Sequence, residues 1–587
     1  MKRTGLERLL PLLAFAVTAV LYVLILMPLI FSRGVWVNDE GNRMLQIESF
    51  AKDRGGYLRD PLAGNILPGL APFAPDGYMV REPEKHRIVS GYSEAFPFLV
   101  SGLFRIGGFP SCKIGVLLAG LACSAVVWRI LRGIGAGPCR EAAGILLTGG
   151  ATPLLFYSGT LLEITFAAVL TSLTFLLIQT AWKSRFKILW TASGLLASLV
   201  PWFREEGYVI GAALILALLI RRPRENRLPA ILFTAGFLPG IASLLIFNEL
   251  RYGTVFGLHH LIYREIQPAP RTIGSILRSV WFFLFEPAAG GVSGIFCGAV
   301  CLIVLLIPIL LFLSRGKIPE SKILPAGSLL LAAAAALNAF FLFTDPNPME
   351  MTLRVQSICS TVPFVLFPIL FARHISADSD PFQGFLLRSV LLASVGIAVL
   401  LEYNTRGMFF GPRHFVPLLP MAAVLAVLSI KHFSSATVRI SFLAVCLISA
   451  VCQLRGVQLL EERKKFGDTL NEICLNAHAS LILTDAFFVP EELASLKGKP
   501  PILWIQSEGI PVFRVLAKQS GLPCFLFLSG EKFAGAPELI PALGREWRFK
   551  KLRHLENPQM KLLAMNIYLA ERIDEHHGKR TDAIQSQ

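Results

Sequence analysis

The stretch L-L-P-L-L-A-F-A-V-T-A-V-L-Y-V-L-I-L-M-P-L-I-F at residues 9–31 decides the fold class. No charge interrupts it, and it exceeds the roughly 20 apolar residues that carry a helix across a bilayer. It is too long for the apolar region of a signal peptide, and no small-residue cleavage site follows, so it reads as a retained first span. Further apolar runs follow at 112–131, 140–157, 161–181, 188–202, 207–220, 228–248, 292–314, 323–344, 355–372, 387–402, 414–430 and 437–453. Together they predict an α-helical polytopic membrane protein with about 13 transmembrane helices. The apolar segments 94–107 and 274–287 are expected to lie at the interface or re-enter, because full spans there would upset the charge pattern.

Of the 587 residues, 54% are hydrophobic and 16% charged, against roughly 25% charged in soluble domains. The net charge of +16 does not indicate nucleic acid, because Lys and Arg sit in short clusters between apolar runs. Lys2, Arg3 and Arg8 precede the first span. Arg129, Arg132 and Arg140 lie between the second and third, and Lys183, Arg185 and Lys187 follow the fourth. Arg221, Arg222, Arg224 and Arg227 follow the sixth, and Arg315, Lys317 and Lys322 the eighth. All fall on one side, which the positive-inside rule makes cytoplasmic. An odd span count then places residues 454–587 outside the cytoplasm.

That C-terminal segment reads as a small α/β domain. Ser480–Thr484, Ile502–Ile505 and Cys524–Leu528 are apolar β-type runs, with helices expected at Glu491–Leu496 and Val512–Gln519. The final polar stretch K-R-T-D-A-I-Q-S-Q is expected to be disordered. The expected division is a membrane domain 1–453, with a large outer loop 33–111, and an extracytoplasmic domain 454–587. Ten cysteines show no metal-ligand spacing. Cys474 and Cys524 are in position to pair if their domain faces an oxidising compartment.

The chemistry-bearing residues gather at the outer ends of spans. W-V-N-D-E-G-N-R at 36–43 puts Asp39 and Glu40 just beyond the first span. A carboxylate beside lipid headgroups is well placed to take a proton from a hydroxyl; a solvated loop turn is the other reading. Glu84, Lys85, His86 and Arg87 follow, then Y-S-E-A-F-P at 92–97 with Glu94. These bases either neutralise phosphate oxygens or lie among headgroups. A-T-P-L-L-F-Y-S-G-T-L-L-E at 151–163 puts Glu163 at the outer mouth of the fourth span, where an ionisable group is a functional candidate. F-R-E-E-G at 203–207 places Arg204, Glu205 and Glu206 in a tight outer turn, as functional groups or interface markers. His259 and His260 suit a metal or a phosphate, although adjacent side chains point apart and polar loop residues are the plainer reading. Arg413, in G-P-R-H at 411–414, stands between helix breakers where a guanidinium grips a phosphate by two parallel bonds.

In their order and shared sidedness, these stretches resemble the membrane glycosyltransferases of the GT-C superfamily, above all the bacterial aminoarabinose transferase and protein mannosyltransferase branch. W-V-N-D-E resembles the acidic motif after the first span, and E-K at 84–85 the Glu-Lys pair before the next helix. F-Y-S-G-T-L-L-E at 156–163 resembles a Tyr-x-x-Gly-Thr-x-x-x-Asp stretch, with Glu163 in place of Asp. G-P-R-H followed by P-L-L-P resembles a Gly-x-Arg-Tyr/His motif. The likeness covers roughly residues 1–450. Where the family has Lys/His-Pro-Pro, this chain has Y-S-E-A-F-P, which leaves the sugar open.

The resemblance implies an inverting transfer of a sugar from a polyprenyl-phosphate carrier to an acceptor hydroxyl on a lipid, glycan or protein. The reaction would run at the outer face of a bacterial inner membrane. Asp39 would be the general base, with Glu40 its neighbour. Lys85, Arg413 and Arg43 would be the candidate cations for the donor phosphate. Glu84, Glu94, Glu163, Arg204, His259 and His260 are secondary candidates. The resemblance fixes no cofactor. The family includes metal-dependent members, so a divalent metal stays open, with His259 or Glu84 as ligands. The alternatives are a lipid-carrier flippase or transporter, which predicts charges at mid-membrane, and a non-catalytic envelope assembly protein.

Overall fold

The computed structural model describes residues 5–573 apart from 63, 66, 74–78, 222, 267–270, 289–290, 314–318, 347–351, 353–354, 378–379, 402–409, 497–499, 532–535, 545 and 557–562. The basic loop residues Arg222, Arg315 and Lys317 and the polar C-terminal stretch lie outside the described residues. The chain divides into two units. One comprises Met1–Ile30 and Ser93–Leu460, the other Phe31–Tyr92 and Glu461–Gln587.

The first unit is helical. Among the described residues of the whole chain, nine helices are long and apolar enough to cross a membrane, and three shorter apolar helices run at Ile188–Phe203, Glu206–Ile220 and Ile273–Leu284. Leu13, Leu24, Ile106, Leu250 and Ile440 turn outward, an arrangement that water penalises and hydrocarbon accepts. The Leu419–Ser429 helix is the opposite case: every residue is buried, as expected of a helix that is apolar all round.

Proline and glycine explain where the helices depart from simple spans. The expected span 140–157 divides into Pro138–Gly150 and Leu154–Tyr157, on either side of Pro153. The expected span 355–372 becomes the short pieces Ile358–Thr361, Pro363–Leu366 and Phe367–Leu370, because Pro363 and Pro368 supply no amide donor. Ala95–Ile134 is continuous except at Gly107 and Gly108, whose non-helical backbones (φ of 67° at Gly108) separate the 94–107 segment from the span after it.

Two glycines set one helix packing. A Cβ on Gly194 would strike the Phe233 carbonyl oxygen, and one on Gly236 the Thr191 carbonyl oxygen. The Ile188–Ser198 and Pro223–Tyr252 helices therefore meet backbone to backbone, the small-residue packing that lipid favours.

The second unit contains two sheets. Its strands are β1 (Leu58–Arg59), β2 (Leu70–Ala71), β3 (Met79–Glu82), β4 (Arg87–Ser90), β5 (Ile482–Thr484), β6 (Ile502–Ile505), β7 (Cys524–Gly530), β8 (Trp547–Leu555) and β9 (Met565–Arg572). One sheet has the order β1-β4-β3 and the other β2-β6-β5-β7-β9-β8. The parallel core β6-β5-β7 contains the three strands expected from the sequence. Helices at Val489–Glu492 and Ile510–Gln519 lie between them in the chain. The outer loop adds β2 as an antiparallel edge on β6, so the 33–92 part of the loop and the C-terminal segment build one sheet. β8, W-R-F-K-K-L-R-H-L, is the opposite edge. Its exposed Lys and Arg residues do not read as an apolar strand, and they guard the edge against further pairing.

The Ala436–Asn476 helix runs unbroken past residue 453, and the units part at Leu460 and Glu461. Within the second unit its end carries two buried ion pairs. Lys464 Nζ meets Glu40 Oε1 at 2.8 Å, and Arg463 Nη2 meets Glu492 Oε2 at 2.5 Å. The Cys474–Cys524 pairing that the sequence left open is not formed. Both thiols are free, Cys474 buried on the long helix and Cys524 at the start of β7.

Candidate active site

In the second unit the acidic motif opens the Asn38–Ala51 helix, with Asp39 and Glu40 in its first turn. Negative charge there is favoured by the helix dipole. The two carboxylates have different surroundings. Glu40 is fully buried. One of its oxygens takes the Lys464 ammonium, and the other accepts from the Trp36 amide at 2.7 Å. Asp39 is half-buried and accepts a hydrogen bond from the Tyr92 hydroxyl. The Tyr92 ring lies under Arg43, whose guanidinium carbon is 4.3 Å from the ring centroid. Arg43 is buried and also donates to Gln46 Oε1 at 3.3 Å.

Glu491 joins this group from the C-terminal segment. It is 2% exposed. Its Oε2 has no hydrogen-bond partner among the described residues. The Gly41 backbone lies against it: a Cβ on Gly41 would come within 2.8 Å of the Glu491 Cβ. Burial pushes the Glu491 carboxyl up to about 8, and the Asp39 and Glu492 carboxylates add to the rise. Elsewhere in this unit Lys85 and Glu84 are exposed in the turn between β3 and β4, and Lys85 pairs with Glu82 at 3.4 Å.

The first unit brings a different set together. Arg204 grips Glu206 with two bonds, Nη2 to Oε1 at 2.6 Å and Nε to Oε2 at 3.1 Å, and reaches Glu163 Oε1 at 3.3 Å. Arg413 Nε donates to His414 Nε2 at 3.0 Å, and His414 Nδ1 bonds Glu206 Oε1. Arg204 Nη2 also lies 3.1 Å from the same His414 Nδ1. Arg413, His414, Glu206, Arg204 and Glu163 thus form one chain of contacts drawn from three stretches of sequence. Tyr157 donates to the Phe410 carbonyl at 3.0 Å beside it. Glu94, the residue before the Ala95–Ile134 helix, takes Arg251 Nη2 at 2.7 Å.

His259 pairs with Glu205 at 2.9 Å and His260 stacks near Phe256. Among the described residues no group of three or more His, Cys, Asp or Glu side chains is arranged to hold a metal ion. His259 and Glu84 do not form a ligand set among the described residues. Tyr92, His414 and Glu491 are the site residues to which sequence reasoning gave no role, whereas Glu206 was read with Arg204 and Glu205 in the outer turn. The first two lie in the quoted motifs, but Glu491 lies in a segment with no motif.

No protein-family model and no curated protein sequence matches the chain. Among solved structures it is similar to ArnT from Cupriavidus metallidurans bound to undecaprenyl phosphate. The identity is 10%, the TM-score 0.49, and the match covers 95% of this chain and 97% of that one. It is also similar to the Archaeoglobus fulgidus oligosaccharyltransferase in complex with Zn and sulfate. Here the identity is 12% and the TM-score 0.46, over 88% of this chain and 67% of that one.

The Arg204 network yields a stability prediction. Arg204→Met leaves Glu163 and Glu206 buried without their cation and is expected to cost about 3–5 kcal/mol. Thermal unfolding in detergent checks this. The double variant Arg204→Met/Glu206→Leu is expected to lose less than the sum of the singles. An unchanged midpoint for Arg204→Met would contradict the network.

Proposed function

We propose that this protein is an inverting membrane glycosyltransferase that moves a sugar from a polyprenyl-phosphate carrier to an acceptor hydroxyl at the extracytoplasmic face. The motifs after the first span and before the twelfth support this reading. The observation that carries it is the contrast between the two acidic neighbours. Both Glu40 oxygens are engaged, by Lys464 and by Trp36. Asp39, half-buried and oriented by Tyr92, is the carboxylate suited to act on a substrate.

In the reaction Asp39 takes the acceptor hydroxyl proton as that oxygen bonds to the anomeric carbon. The bond from the anomeric carbon to the phosphate oxygen breaks, and polyprenyl phosphate leaves with the electron pair. One displacement inverts the carbon. The leaving phosphate requires stabilisation of its growing charge more than a proton. Arg413 and Lys85 are assigned to this. The bond from Arg413 to His414, itself anchored on Glu206, orients the guanidinium. Arg43, buried against Tyr92, is assigned to hold that ring and through it Asp39.

Full-length protein supplied with a radiolabelled polyprenyl-phosphate sugar tests the assignment. Asp39→Asn is expected to lose about 10²–10⁴-fold in turnover while remaining folded; turnover near that of the wild type would remove Asp39 from the role. In the same assay Arg413→Lys, which cannot reproduce the planar fork, is expected to use donor about ten- to a hundredfold less well, the loss of one charge-assisted bond. An Arg413→Lys protein equal to wild type would make Arg413 a headgroup anchor.

The basic loop clusters support a cytoplasmic N-terminus and an extracytoplasmic second unit in a bacterial plasma membrane. A C-terminal alkaline phosphatase fusion is then expected to be active and a green fluorescent fusion dark. The reverse pattern would invert the topology.

A further inference from the structure

We propose that Asn42 and Gln46 are specificity residues of the same site: two buried amides on the Asn38–Ala51 helix that together read the hydroxyl next to the anomeric carbon of the transferred sugar. This rests on the reading of Asp39 as the base, and it narrows the donor to sugars with a free 2-hydroxyl.

Asp39, Asn42, Arg43 and Gln46 stand at i, i+3, i+4 and i+7 of one helix, the spacing of a single face. Contacts join three of them. The Tyr92 hydroxyl bonds Asp39, the Arg43 guanidinium carbon lies 4.3 Å from the centre of the Tyr92 ring, and Arg43 Nη1 reaches Gln46 Oε1 at 3.3 Å. The face is polar, yet Asn42 is 1% exposed and Gln46 0%. Asp39, at its start, is half-buried, so the row opens to solvent at the candidate base.

Two polar atoms in this row are orphaned. Asn42 Oδ1 and Gln46 Nε2 have no hydrogen-bond partner among the described residues. Arg43 sets the orientation of Gln46: a guanidinium only donates, so the Gln46 oxygen is turned to it and the N–H₂ group is left over. An orphaned buried polar atom is costly, and native structures keep few of them. Two of them one turn apart, on the helix that carries the candidate base, point to a ligand that satisfies both.

The pair selects that ligand. Gln46 offers a hydrogen and Asn42 an oxygen, so the matching group accepts from one and donates to the other. A hydroxyl does both. A phosphate or carboxylate oxygen only accepts and leaves Asn42 unpaired. An ammonium only donates and leaves Gln46 unpaired. An acetamido group has both functions, but a row with almost no exposure favours the small hydroxyl over the bulkier group.

Helix geometry places the hydroxyl. Asp39 holds the attacking acceptor oxygen, the anomeric carbon lies beyond it, and the 2-hydroxyl stands on the next carbon. A hydrogen bond of about 2.7 Å, the forming bond and one C–C–O link carry that hydroxyl about one turn from Asp39, the level of Asn42. A bond to it strengthens as positive charge grows at the anomeric carbon, so it acts in the transition state.

The experiment uses the full-length protein in detergent with four radiolabelled polyprenyl-phosphate donors: glucose, mannose, their common 2-deoxy analogue and N-acetylglucosamine. Wild type is expected to transfer glucose or mannose, and to use the 2-deoxy and N-acetyl donors at least about a hundredfold less well. Asn42→Leu and Asn42→Ala both remove the orphaned oxygen, one with a larger and one with a smaller side chain, so an effect common to them is not one of size. Both are expected to cut turnover of the hydroxyl donor about ten- to a hundredfold while leaving the 2-deoxy donor at its wild-type rate. Gln46→Glu keeps the oxygen that Arg43 bonds and removes the N–H₂ donor, and is expected to lose the same discrimination. With no sugar donor added, the thermal midpoint of at least one Asn42 variant is expected to match or exceed that of wild type, because a buried orphan has gone. Midpoints that fall in both variants, with all donors slowed alike, overturn the proposal and make the amides a packing feature. So does wild-type transfer of the 2-deoxy or N-acetyl sugar at the rate of glucose or mannose. If wild type transfers none of the four sugars, the glycosyltransferase reading fails and this proposal with it; transfer without discrimination defeats this proposal alone.

Discussion

An ammonium and a carboxylate 424 positions apart, Lys464 and Glu40, meet at 2.8 Å with almost no exposure. Neither charge survives there alone, since removing one partner of a buried pair leaves an ion without water or counter-ion. The pair therefore fixes where the Asn38–Ala51 helix starts relative to the end of the long C-terminal helix. Its neighbours depend on the same register. Asp468 accepts from the amides of Arg33 and Gly34, at 2.5 and 3.1 Å. The Gly34 backbone lies against that of Lys464, and Arg463 holds Glu492 beside Glu491. Asp39, one residue from Glu40, takes its place from this arrangement.

Polar residues in the second unit thus act at two levels. Glu40, Lys464, Arg463 and Glu492 neutralise one another and hold backbone segments together. Asp39 and Tyr92, hydrogen-bonded to each other, belong to the same unit. In the first unit Arg204 satisfies Glu163 and Glu206, and both Arg204 and Glu206 contact His414 Nδ1. Arg413 donates to the other ring nitrogen of His414, so the imidazole bridges the two guanidinium groups.

The residues that were legible in the sequence were charges set against apolar runs. Asp39 follows the first span, Glu163 closes an apolar stretch, and Arg204 and Arg413 interrupt others; an ion next to hydrocarbon is conspicuous because it is costly. Glu491 and Lys464 carried no such contrast. They lie in P-E-E and E-E-R-K-K, stretches that read as ordinary polar surface. Strand β2 was invisible for another reason. Two residues have no periodicity, and its pairing with Trp504 and Ile505 is set by a partner more than 400 residues away.

The sequence by itself determined the membrane class, most of the helical runs, the three parallel strands of the C-terminal segment and the candidates at the ends of spans. Each of these follows from local hydrophobicity or from a charge beside it. Only the tertiary structure decided that the first outer loop and the C-terminal segment share a sheet, that Glu40 is locked in an ion pair with Lys464, and that Glu491 stands against Gly41. Burial and pairing belong to contacts between distant segments. Whether a carboxylate is structural or chemically available depends on which cation, if any, the fold brings to it.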